Sequence, residues 1–392
     1  MHRHLAPIIA FFLTLSLVAC GGEATSNSDH IDQYTGIDTT KDLISAGEMA
    51  EMDDLVLIPF RDGPKWGYAD TNLSVIIPAQ FDDVQHFSEN LAVVKRDSMF
   101  GVIDKKGREL IPPKFPLITR SACGVFTIKT PAGFIIVNNQ GKRVTQKVYQ
   151  GTFSYTCTEG RIPIMEDGKV GFFDTNGQPV TGFDYTAIYK FQHGVAPVRK
   201  GSQASGKWGV IDRNGKEELP YMYETIFPFV SGFGVALKTL DNGDRKWGVI
   251  DTLGNTVVPF QFGRISGAFS GNYVVCVEKD PMDIWLAEES GNATAAELEN
   301  YWYIYNRKGK KTGESADELW DEFSEGLVVI EKDSLFGFAD HTGKVVIPCL
   351  YDWACGFKEG LAWVGKKGVY GFIDKSGKPA IPFKYKPLDD YV

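Results

Sequence analysis

The residues best suited to chemistry are aspartates that recur along the chain, each shortly after an aromatic residue and a glycine. In the segment KWGVIDRNGK (207–216), Asp212 follows Trp208-Gly209 and precedes Gly215. A carboxylate among glycines would suit a general base or a phosphate loop. The members of the row are Asp70, Asp104, Asp174, Asp212, Asp251, Asp340 and Asp374, with Asn138 and Asn306 in register.

This recurrence favours a structural role over a catalytic one. Catalysis requires a given carboxylate once, whereas a tight turn requires it in every copy of a repeated unit. In Asp104-Lys-Lys-Gly107 the carboxylate can accept backbone N–H groups while the glycine takes a positive φ. The glycine motifs also lack the strand-to-helix context of a nucleotide-binding loop. We therefore predict that the aspartates form turns, and we assign no catalytic or cofactor-binding residue.

The elements that position these turns repeat nine times. Successive anchor residues are separated by 34, 34, 36, 38, 39, 55, 34 and 34 residues. A recurring period in this range indicates a repeat architecture. The anchors are Trp66, Phe100, Phe134, Val170, Trp208, Trp247, Trp302, Phe336 and Tyr370.

Each unit has the pattern of a three-stranded β-meander. In the second copy, strands are predicted at 91–94, 100–104 and 109–112, with turns at Asp97-Ser98 and at 105–107. We expect the glycine after each aromatic to permit a close approach, and the proline to end each third strand.

The units resemble those of the bacterial WG-repeat family. The segment GLAWVGKKGVYGFIDKSGKPAIPFKY (360–385) carries the pattern most clearly, and the resemblance covers about Leu55 to Tyr385. It implies an all-β repeat fold, often on secreted or envelope proteins, and no established chemistry. Three copies depart from the pattern, at Ile135, Tyr303 and Leu73, and there we expect local distortion.

Single units with one apolar face must stack to be stable. We predict that residues 55–392 form a tandem array of about nine three-stranded units, in an open or superhelical arrangement. The alternative is a closed, propeller-like ring, although such rings have about four to eight blades.

Composition restricts the class of partner. The chain has 392 residues, 43% of them hydrophobic, with 42 glycines and 19 prolines, which suits a folded protein of short strands and tight turns. Its formal net charge is −9, and no basic stripe is visible. We therefore expect no nucleic-acid partner, because such surfaces need clustered Lys and Arg.

The N-terminus resembles a bacterial lipoprotein signal. An apolar run from Leu5 to Val18 ends in Leu17-Val18-Ala19-Cys20, the type of box after which the cysteine is lipidated. We predict a signal peptide at 1–19, lipidation of Cys20, a flexible tether at 20–40 and a short, helical lead-in at 41–54. An uncleaved anchor or a plain secretory signal is the alternative.

The remaining cysteines and histidines suggest little chemistry. Cys123 and Cys157 lie near the same point of adjacent units, so they are the preferred disulfide pair, with buried free thiols as the alternative. His86, His193 and His341 are scattered without metal-ligand spacing, and no metal site is predicted.

One insertion interrupts the array at Glu278–Asn300, where the spacing reaches 55 residues. It combines an apolar group, including Ile284, Trp285 and Leu286, with seven carboxylates, and Thr294-Ala-Ala-Glu297 resembles a capping box. Insertions in repeat arrays often form the binding face, so these three residues are the candidate partner-binding residues. Alternatively, the insertion covers an exposed edge and Trp285 is buried.

The sequence as a whole favours a non-catalytic interaction scaffold for a protein or glycan partner. We expect it to be held by lipid in the bacterial cell envelope, most simply in the outer membrane, on its periplasmic or surface face. An envelope hydrolase with a site built from loops and a structural lipoprotein for envelope assembly are the alternatives.

Overall fold

The structure, a computed structural model, describes residues 48, 52, 54–120, 123–139, 143–145, 147–149, 151–152, 157–267, 269–290, 294, 299–315 and 318–385. The predicted signal peptide and tether, including Cys20, lie outside the described residues. Of the predicted lead-in, residues 48, 52, and 54 are described.

The described chain is built from small antiparallel sheets that follow one another along the sequence. Sheet 1 contains β1 (Leu57–Asp62), β2 (Lys65–Asp70) and β3 (Val75–Phe81), and sheet 2 contains β4 (Asp83–Val84), β5 (Leu91–Arg96), β6 (Met99–Asp104) and β7 (Glu109–Phe115). Sheet 3 contains β8 (Leu117–Arg120), β9 (Val125–Thr130) and β10 (Gly133–Asn138), and sheet 4 contains β11 (Gly151–Thr152), β12 (Ile162–Glu166) and β13 (Lys169–Phe173).

The second half of the array has four strands in every sheet. Sheet 5 contains β14 (Ala187–Ile188), β15 (Val195–Lys200), β16 (Lys207–Asp212) and β17 (Glu217–Tyr223), and sheet 6 contains β18 (Thr225–Ile226), β19 (Phe233–Thr239), β20 (Arg245–Asp251) and β21 (Thr256–Phe262). Sheet 7 contains β22 (Arg264–Ile265), β23 (Tyr273–Val277), β24 (Trp302–Asn306) and β25 (Lys311–Ser315), with helix α1 (Pro281–Ser290) between β23 and β24. Sheet 8 contains β26 (Glu318–Ser324), β27 (Leu327–Lys332), β28 (Leu335–Asp340) and β29 (Val345–Tyr351), and sheet 9 contains β30 (Trp353–Ala354), β31 (Leu361–Lys366), β32 (Val369–Asp374) and β33 (Pro379–Tyr385).

The all-β fold with nine repeated units is confirmed, but the predicted strand count per unit is too low for six sheets. In those sheets the segment after the preceding third strand adds a further strand, usually of two residues. In sheet 2, for example, Asp83 pairs with Lys95 and Val84 with Val94. Such a short strand gives no alternating pattern in the sequence, because periodicity needs about four residues to be recognised.

A bulge in the third strand explains why glycine and proline occur together in a unit. In sheet 5, Trp208 pairs with Tyr223 and Val210 with Leu219, so residues 220–222 lie opposite Gly209. The prediction that proline ends the third strand is therefore wrong. Pro220 lies inside β17, where the bulge removes the need for a ladder N–H.

The three departing copies differ in how much they are distorted. Leu73 adopts a φ of 65° and donates its backbone N–H to Asp70 at 3.0 Å, so the first copy keeps the usual turn and its distortion is confined to one residue. In the third copy, Phe134 and Val137 make only isolated bridges to the following segment. In the seventh copy, Tyr303 pairs directly with Glu314, and the register lacks the long bulge.

The core lies between successive sheets. Each described cluster combines one face of a sheet with the opposite face of the next sheet along the chain. In the cluster between sheets 1 and 2, Tyr68 and Phe81 pack near Ala92, Val94 and Ile103. No such cluster of the described residues joins sheet 9 to sheet 1, so the units form a serial β-repeat array.

The described residues of the lead-in attach to the second unit. Arg108 forms ion pairs with Glu48 at 2.9 Å and with the buried Asp104 at 2.6 Å. The Nζ atom of Lys105 donates a 2.7 Å hydrogen bond to the carbonyl oxygen of the buried Met52. Within the part of the chain that the structure describes, no helix has the length and hydropathy needed to span a membrane.

Candidate functional site

The insertion replaces a hairpin turn that is short in most units. In sheet 2 the equivalent turn is Asp97-Ser98, whose two residues both adopt left-handed backbone conformations. In sheet 7 the chain instead leaves β23 after Val277 and returns at Trp302, and it forms α1 on the way. The insertion is therefore an elaborated hairpin on one edge of the array.

Helix α1 begins where the local sequence favours a helix start. The carboxylate of Asp280 accepts a 3.0 Å hydrogen bond from the backbone N–H of Met282, and its carbonyl oxygen accepts one from Asp283. Pro281 follows as the first helical residue, where its missing N–H costs nothing. The Asp-Pro pair is a helix-start signal that sequence analysis missed.

The two ends of the insertion are joined at its base. Asn300 accepts a 2.9 Å hydrogen bond from the backbone N–H of Lys279 and returns a 3.0 Å bond from its Nδ2 to the carbonyl oxygen of Lys279. The hydroxyl of Tyr303 donates to Glu278 at 3.1 Å. Burial raises the pKa of Tyr303, and this hydrogen bond raises it further. The base thus fixes where α1 stands on the array.

One side of α1 borders a groove of about 560 Å³ that is rich in aromatic and acidic side chains. We call it the acidic aromatic groove. Trp285 is 42% exposed and Tyr301 is 39% exposed, so both present ring surface to a ligand. None of the described residues that line this groove is a Lys or an Arg. Its lining consists of Pro281, Ile284, Trp285, Glu288, Glu299, Asn300, Tyr301, Trp302 and Glu318.

The other side of α1 borders a second groove of about 520 Å³, in which both charges are present. Arg245, Lys246 and Lys279 line it together with Asp280 and Asp283. Its aromatic floor includes Trp247, which stacks on Phe227 with ring centroids 5.6 Å apart. The two grooves meet at Ile284, which lines both of them.

Enlarged hairpins occur at the same place in three consecutive units. The connection between β15 and β16 spans 201–206, and the connection between β19 and β20 spans 240–244. Sheets 2, 8 and 9 use two residues there. The additional residues of sheets 5 to 7 therefore account for most of the irregular spacing of the anchors, and they enlarge one edge of the array.

The three predicted partner-binding residues have different positions. Trp285 lines the acidic aromatic groove, and Ile284 is half-buried between the two grooves. Leu286 is exposed and lines neither groove. No residue of α1 is buried, so Trp285 has the exposure expected of a binding residue and not that expected of a covering loop. The predicted capping box at 294–297 lies mostly outside the described residues.

Several groove residues were missed by sequence analysis. Tyr301 directly precedes β24 of sheet 7, Trp302 begins that strand, and Glu318 begins β26 of sheet 8. Trp302 is a repeat anchor, and a position in the core already accounts for a tryptophan there, so the sequence offered no reason to assign it to a binding site. Its side chain is buried and forms the floor of the groove. The insertion's own length is the signal that could have directed attention to its flanks.

The repeated aspartates form turns, as predicted. The Oδ1 atom of Asp212 accepts backbone hydrogen bonds from Asn214 and Lys216, both at 2.8 Å, and seven other units have the same pair among the described residues. Burial opposes ionisation of Asp212, but these hydrogen bonds outweigh it and lower the pKa of the carboxyl. Such turns occur at Asp70, Asp104, Asp174, Asp251, Asn306, Asp340 and Asp374.

The cysteines and histidines form no second site in the described residues. The structure places Cys123 and Cys157 in a disulfide bond between sheets 3 and 4, one period of 34 residues apart. Cys276 is a buried free thiol whose pKa is raised by burial. His341 stacks on Tyr273 with ring centroids 4.8 Å apart. Among the described side chains, no three potential ligands come together as a metal site.

Comparison with known proteins gives one clear match. A family model described as a WG containing repeat matches residues 66–99, 100–130, 171–203, 208–238, 247–280, 336–370 and 370–387, more than half of the chain. The copies anchored at Phe134 and Trp302 are not among the matched stretches, and these are the two that lack the glycine.

Similarity to other known proteins is weak. No curated protein matches the sequence. A solved structure described as TolB from Agrobacterium tumefaciens is similar at 10% identity, with a TM-score of 0.25, over 47% of this chain and 75% of that one. A likeness at this level does not bear on fold or function.

Proposed function

The chain belongs to the WG-repeat family, and from that premise we propose that it is a non-catalytic binding scaffold, held in the bacterial envelope by lipid on Cys20. Its binding site is the acidic aromatic groove beside α1. The partner is a protein segment that carries exposed amino or guanidinium groups.

The lining of the groove is the observation that carries this proposal. Trp285 and Tyr301 offer exposed aromatic faces, and Glu288 and Glu299 border the same space, whose described lining contains no Lys or Arg. Aromatic faces attract cations, and carboxylates pair with them, most strongly where water is partly excluded. A basic segment therefore complements the groove in charge.

The position of the groove also supports the proposal. Helix α1 rises from an elaborated hairpin whose base is fixed by the reciprocal bonds between Lys279 and Asn300. Enlarged hairpins in sheets 5 and 6 lie on the same edge. Insertions of this kind, grouped on one face of a repeat array, are typical of a binding face.

The sequence before the array supports attachment to a membrane. The apolar run that ends in Leu17-Val18-Ala19-Cys20 resembles the cleavage box of a lipoprotein, and the Gly- and Ser-rich segment after it suits a tether. A lipid on Cys20 would leave the array free to capture a partner near the membrane surface.

The test compares ligands of opposite charge on the mature chain. Isothermal titration with a Lys- and Arg-rich peptide should give saturable binding that weakens as salt rises, whereas a Glu-substituted peptide of equal length and a panel of envelope glycans should not bind. Binding of a glycan without binding of the basic peptide would show that the partner is a glycan and not a basic protein segment. Turnover of any envelope substrate would favour the hydrolase alternative.

Two substitutions separate the groove from the rest of the helix. Trp285→Ala and Glu288→Gln should each weaken peptide binding at least tenfold, because each removes a lining group. Leu286→Ala is the matched control, since Leu286 is exposed on the same helix and lines neither groove. Equal losses in all three variants would contradict this assignment.

A further inference from the structure

The two ends of the repeat array present apolar sheet faces of complementary type. We call the face of each sheet that packs on the next sheet its forward face, and the opposite one its back face. In sheet 8, the forward-face residues Val329, Phe338 and Ile347 are each no more than 2% exposed, because they pack on sheet 9. Within the described residues, no sheet follows sheet 9.

The forward face of sheet 9 keeps the residue types of an internal unit. The paired positions Val329–Phe338 and Phe338–Ile347 of sheet 8 correspond to Trp363–Phe372 and Phe372–Ile381 of sheet 9. Trp363 is 39% exposed, and Phe372 and Ile381 are half-buried. Terminal repeats normally carry a polar outer face that protects the end of the array.

Further aromatic residues widen this exposed face. Trp353, Trp363 and Tyr370 form one cluster, with ring centroids 4.7 Å apart between the two tryptophans and 5.2 Å apart between Trp363 and Tyr370. Tyr385 pairs with Tyr370 and is 51% exposed, whereas its equivalent in sheet 8, Tyr351, is buried. Contiguous exposed apolar surface of this kind marks an interaction site.

The back face of sheet 1 is partly exposed among the described residues. The pairs Ile58–Ala69 and Phe60–Gly67 of sheet 1 match Ala92–Ile103 and Val94–Gly101 of sheet 2, whose residues pack on the preceding sheet. Ala69 is buried, but Ile58 is 40% exposed and Phe60 is half-buried. The first and last described sheets therefore each expose part of a face of the type that is packed at the internal junctions.

We infer that the forward face of sheet 9 binds the back face of sheet 1 of a second copy of this chain, so that the array continues from one molecule into the next. Continuity with the internal junctions identifies the occupant. At those junctions bulky forward faces, such as Phe338 and Tyr351, meet small or branched back faces, such as Ala362 and Val364.

Chain geometry favours a second copy over self-contact. The two faces are exposed in a single molecule, so they do not cover one another. Two forward faces would bring bulky rings together, whereas a forward and a back face fit as they do inside the chain. A head-to-tail interface of this type joins molecules into open filaments, or into rings where the rotation closes, and in both cases association increases with concentration. Attachment to a membrane would raise the local concentration.

The first experiment measures mass against concentration by sedimentation equilibrium, on the mature chain with Cys20→Ser so that no lipid contributes. The average mass should rise with concentration. Trp363→Glu should raise the dissociation constant at least tenfold, because a carboxylate would enter an apolar junction. Leu253→Glu is the control, since Leu253 is an exposed leucine in a turn of sheet 6 and should leave association unchanged. Far-UV circular dichroism verifies that both variants fold.

The second experiment identifies the faces. One sample carries Trp363→Cys and another carries Ile58→Cys, both in a Cys349→Ser, Cys355→Ser background. A short bismaleimide should crosslink dimers in the mixture and not in either sample alone. Crosslinked dimers in the Trp363→Cys sample alone would show that two copies of sheet 9 meet symmetrically, and this would contradict the head-to-tail contact. A chain with both substitutions that crosslinks only within itself would indicate a ring. A monomer at every concentration, without crosslinks, would also overturn the inference.

Discussion

Gly209 lies against the carbonyl oxygen of Leu219, so close that a Cβ atom built on the glycine would be 2.8 Å from that oxygen and 2.9 Å from the ring of Tyr221. The same relationship holds at Gly371, where a built Cβ atom would be 2.7 Å from the carbonyl oxygen of Ile381. Real Cβ atoms do not approach backbone oxygens this closely. The glycine of the repeat is therefore required by the bulge of the third strand, which brings its backbone over the middle strand.

Gly209→Val should destabilise the fold. The branched side chain would force β17 away from β16, and overpacking of this kind typically costs about 1–3 kcal/mol. The measurement is urea unfolding of the mature chain. Gly232→Ala, at a turn where no atom lies within 4 Å of a built Cβ, is the steric control, although its left-handed backbone adds some strain of its own. A Gly209→Val protein as stable as the parent would show that the bulge can move.

Asp212→Asn should reduce the loss of stability in acid. The pKa of Asp212 is lowered in the folded state, because backbone hydrogen bonds outweigh burial. The ionised group thus stabilises the fold above its unfolded pKa of about 4, and this contribution is lost as pH falls through the lower folded pKa. Asn306 forms the same turn without charge, with 2.9 Å and 3.1 Å bonds from Lys308 and Lys310.

The asparagine variant should therefore keep the turn while its unfolding free energy changes less between pH 5 and pH 2 than that of the parent. Asp212→Ala, which removes the acceptor, should cost about 0.5–1.5 kcal/mol at neutral pH. An unchanged pH dependence in Asp212→Asn would mean that Asp212 does not contribute to acid sensitivity.

Oxidation of Cys123 and Cys157 should stabilise the junction of sheets 3 and 4. The bond closes a 34-residue segment, and a crosslink of this span is worth about 2–4 kcal/mol. Thiol titration of the denatured, unreduced mature chain should leave Cys276, Cys349 and Cys355 reactive. The double variant Cys123→Ser, Cys157→Ser should melt at lower temperature, and reductant should have no further effect on it. Two additional reactive thiols in the parent would contradict the bond.

Cys20→Ser should release the protein from the membrane. The substitution removes the sulfur to which lipid would be attached, so the protein should move to the soluble fraction of fractionated cells and lose labelling by a fatty-acid probe. Cys355→Ser is the control, because Cys355 directly follows β30 of sheet 9, far along the chain from Cys20, and its substitution should leave both readouts unchanged. Membrane association without label in the Cys20→Ser protein would contradict the lipoprotein interpretation.

Replacing residues 278–300 with a short Gly-Ser turn should remove partner binding and leave the array folded. Other units close the equivalent hairpin with two residues, as at Asp333-Ser334. The melting temperature should therefore stay close to that of the parent, while binding of the basic peptide is lost. An unfolded deletion variant would show that the insertion covers the array, and retained binding would place the site elsewhere.

The sequence was sufficient for the features that depend on local chemistry. An aspartate three residues before a glycine forms its turn from backbone groups within four residues, so Asp212 could be assigned from its spacing alone. The number of units followed from the period, because each unit repeats the same local pattern of apolar strand residues and turn residues. The pairing of Cys123 with Cys157 was proposed from a separation of one period, and the structure places the two in one bond.

Features that depend on the contact of distant segments could not be read in the same way. Pro220 was predicted to end its strand because it has no N–H for strand pairing. In the structure it lies in the bulge opposite Gly209, where no such hydrogen bond is needed. Each extra two-residue strand forms because the chain leaving one sheet runs beside the first long strand of the next sheet, as β4 does beside β5.

The candidate site shows the same division. The sequence by itself determined that the chain is a nine-unit β-repeat array with an acidic, apolar insertion containing Trp285, because period and composition are local properties of the chain. Only the tertiary structure decided that Trp285 faces a groove with Tyr301 and Glu288 and that Leu286 does not. The direction of a side chain on α1 is fixed by how the helix packs at Ile284 and by the bonds between Lys279 and Asn300, and these join residues far apart in sequence.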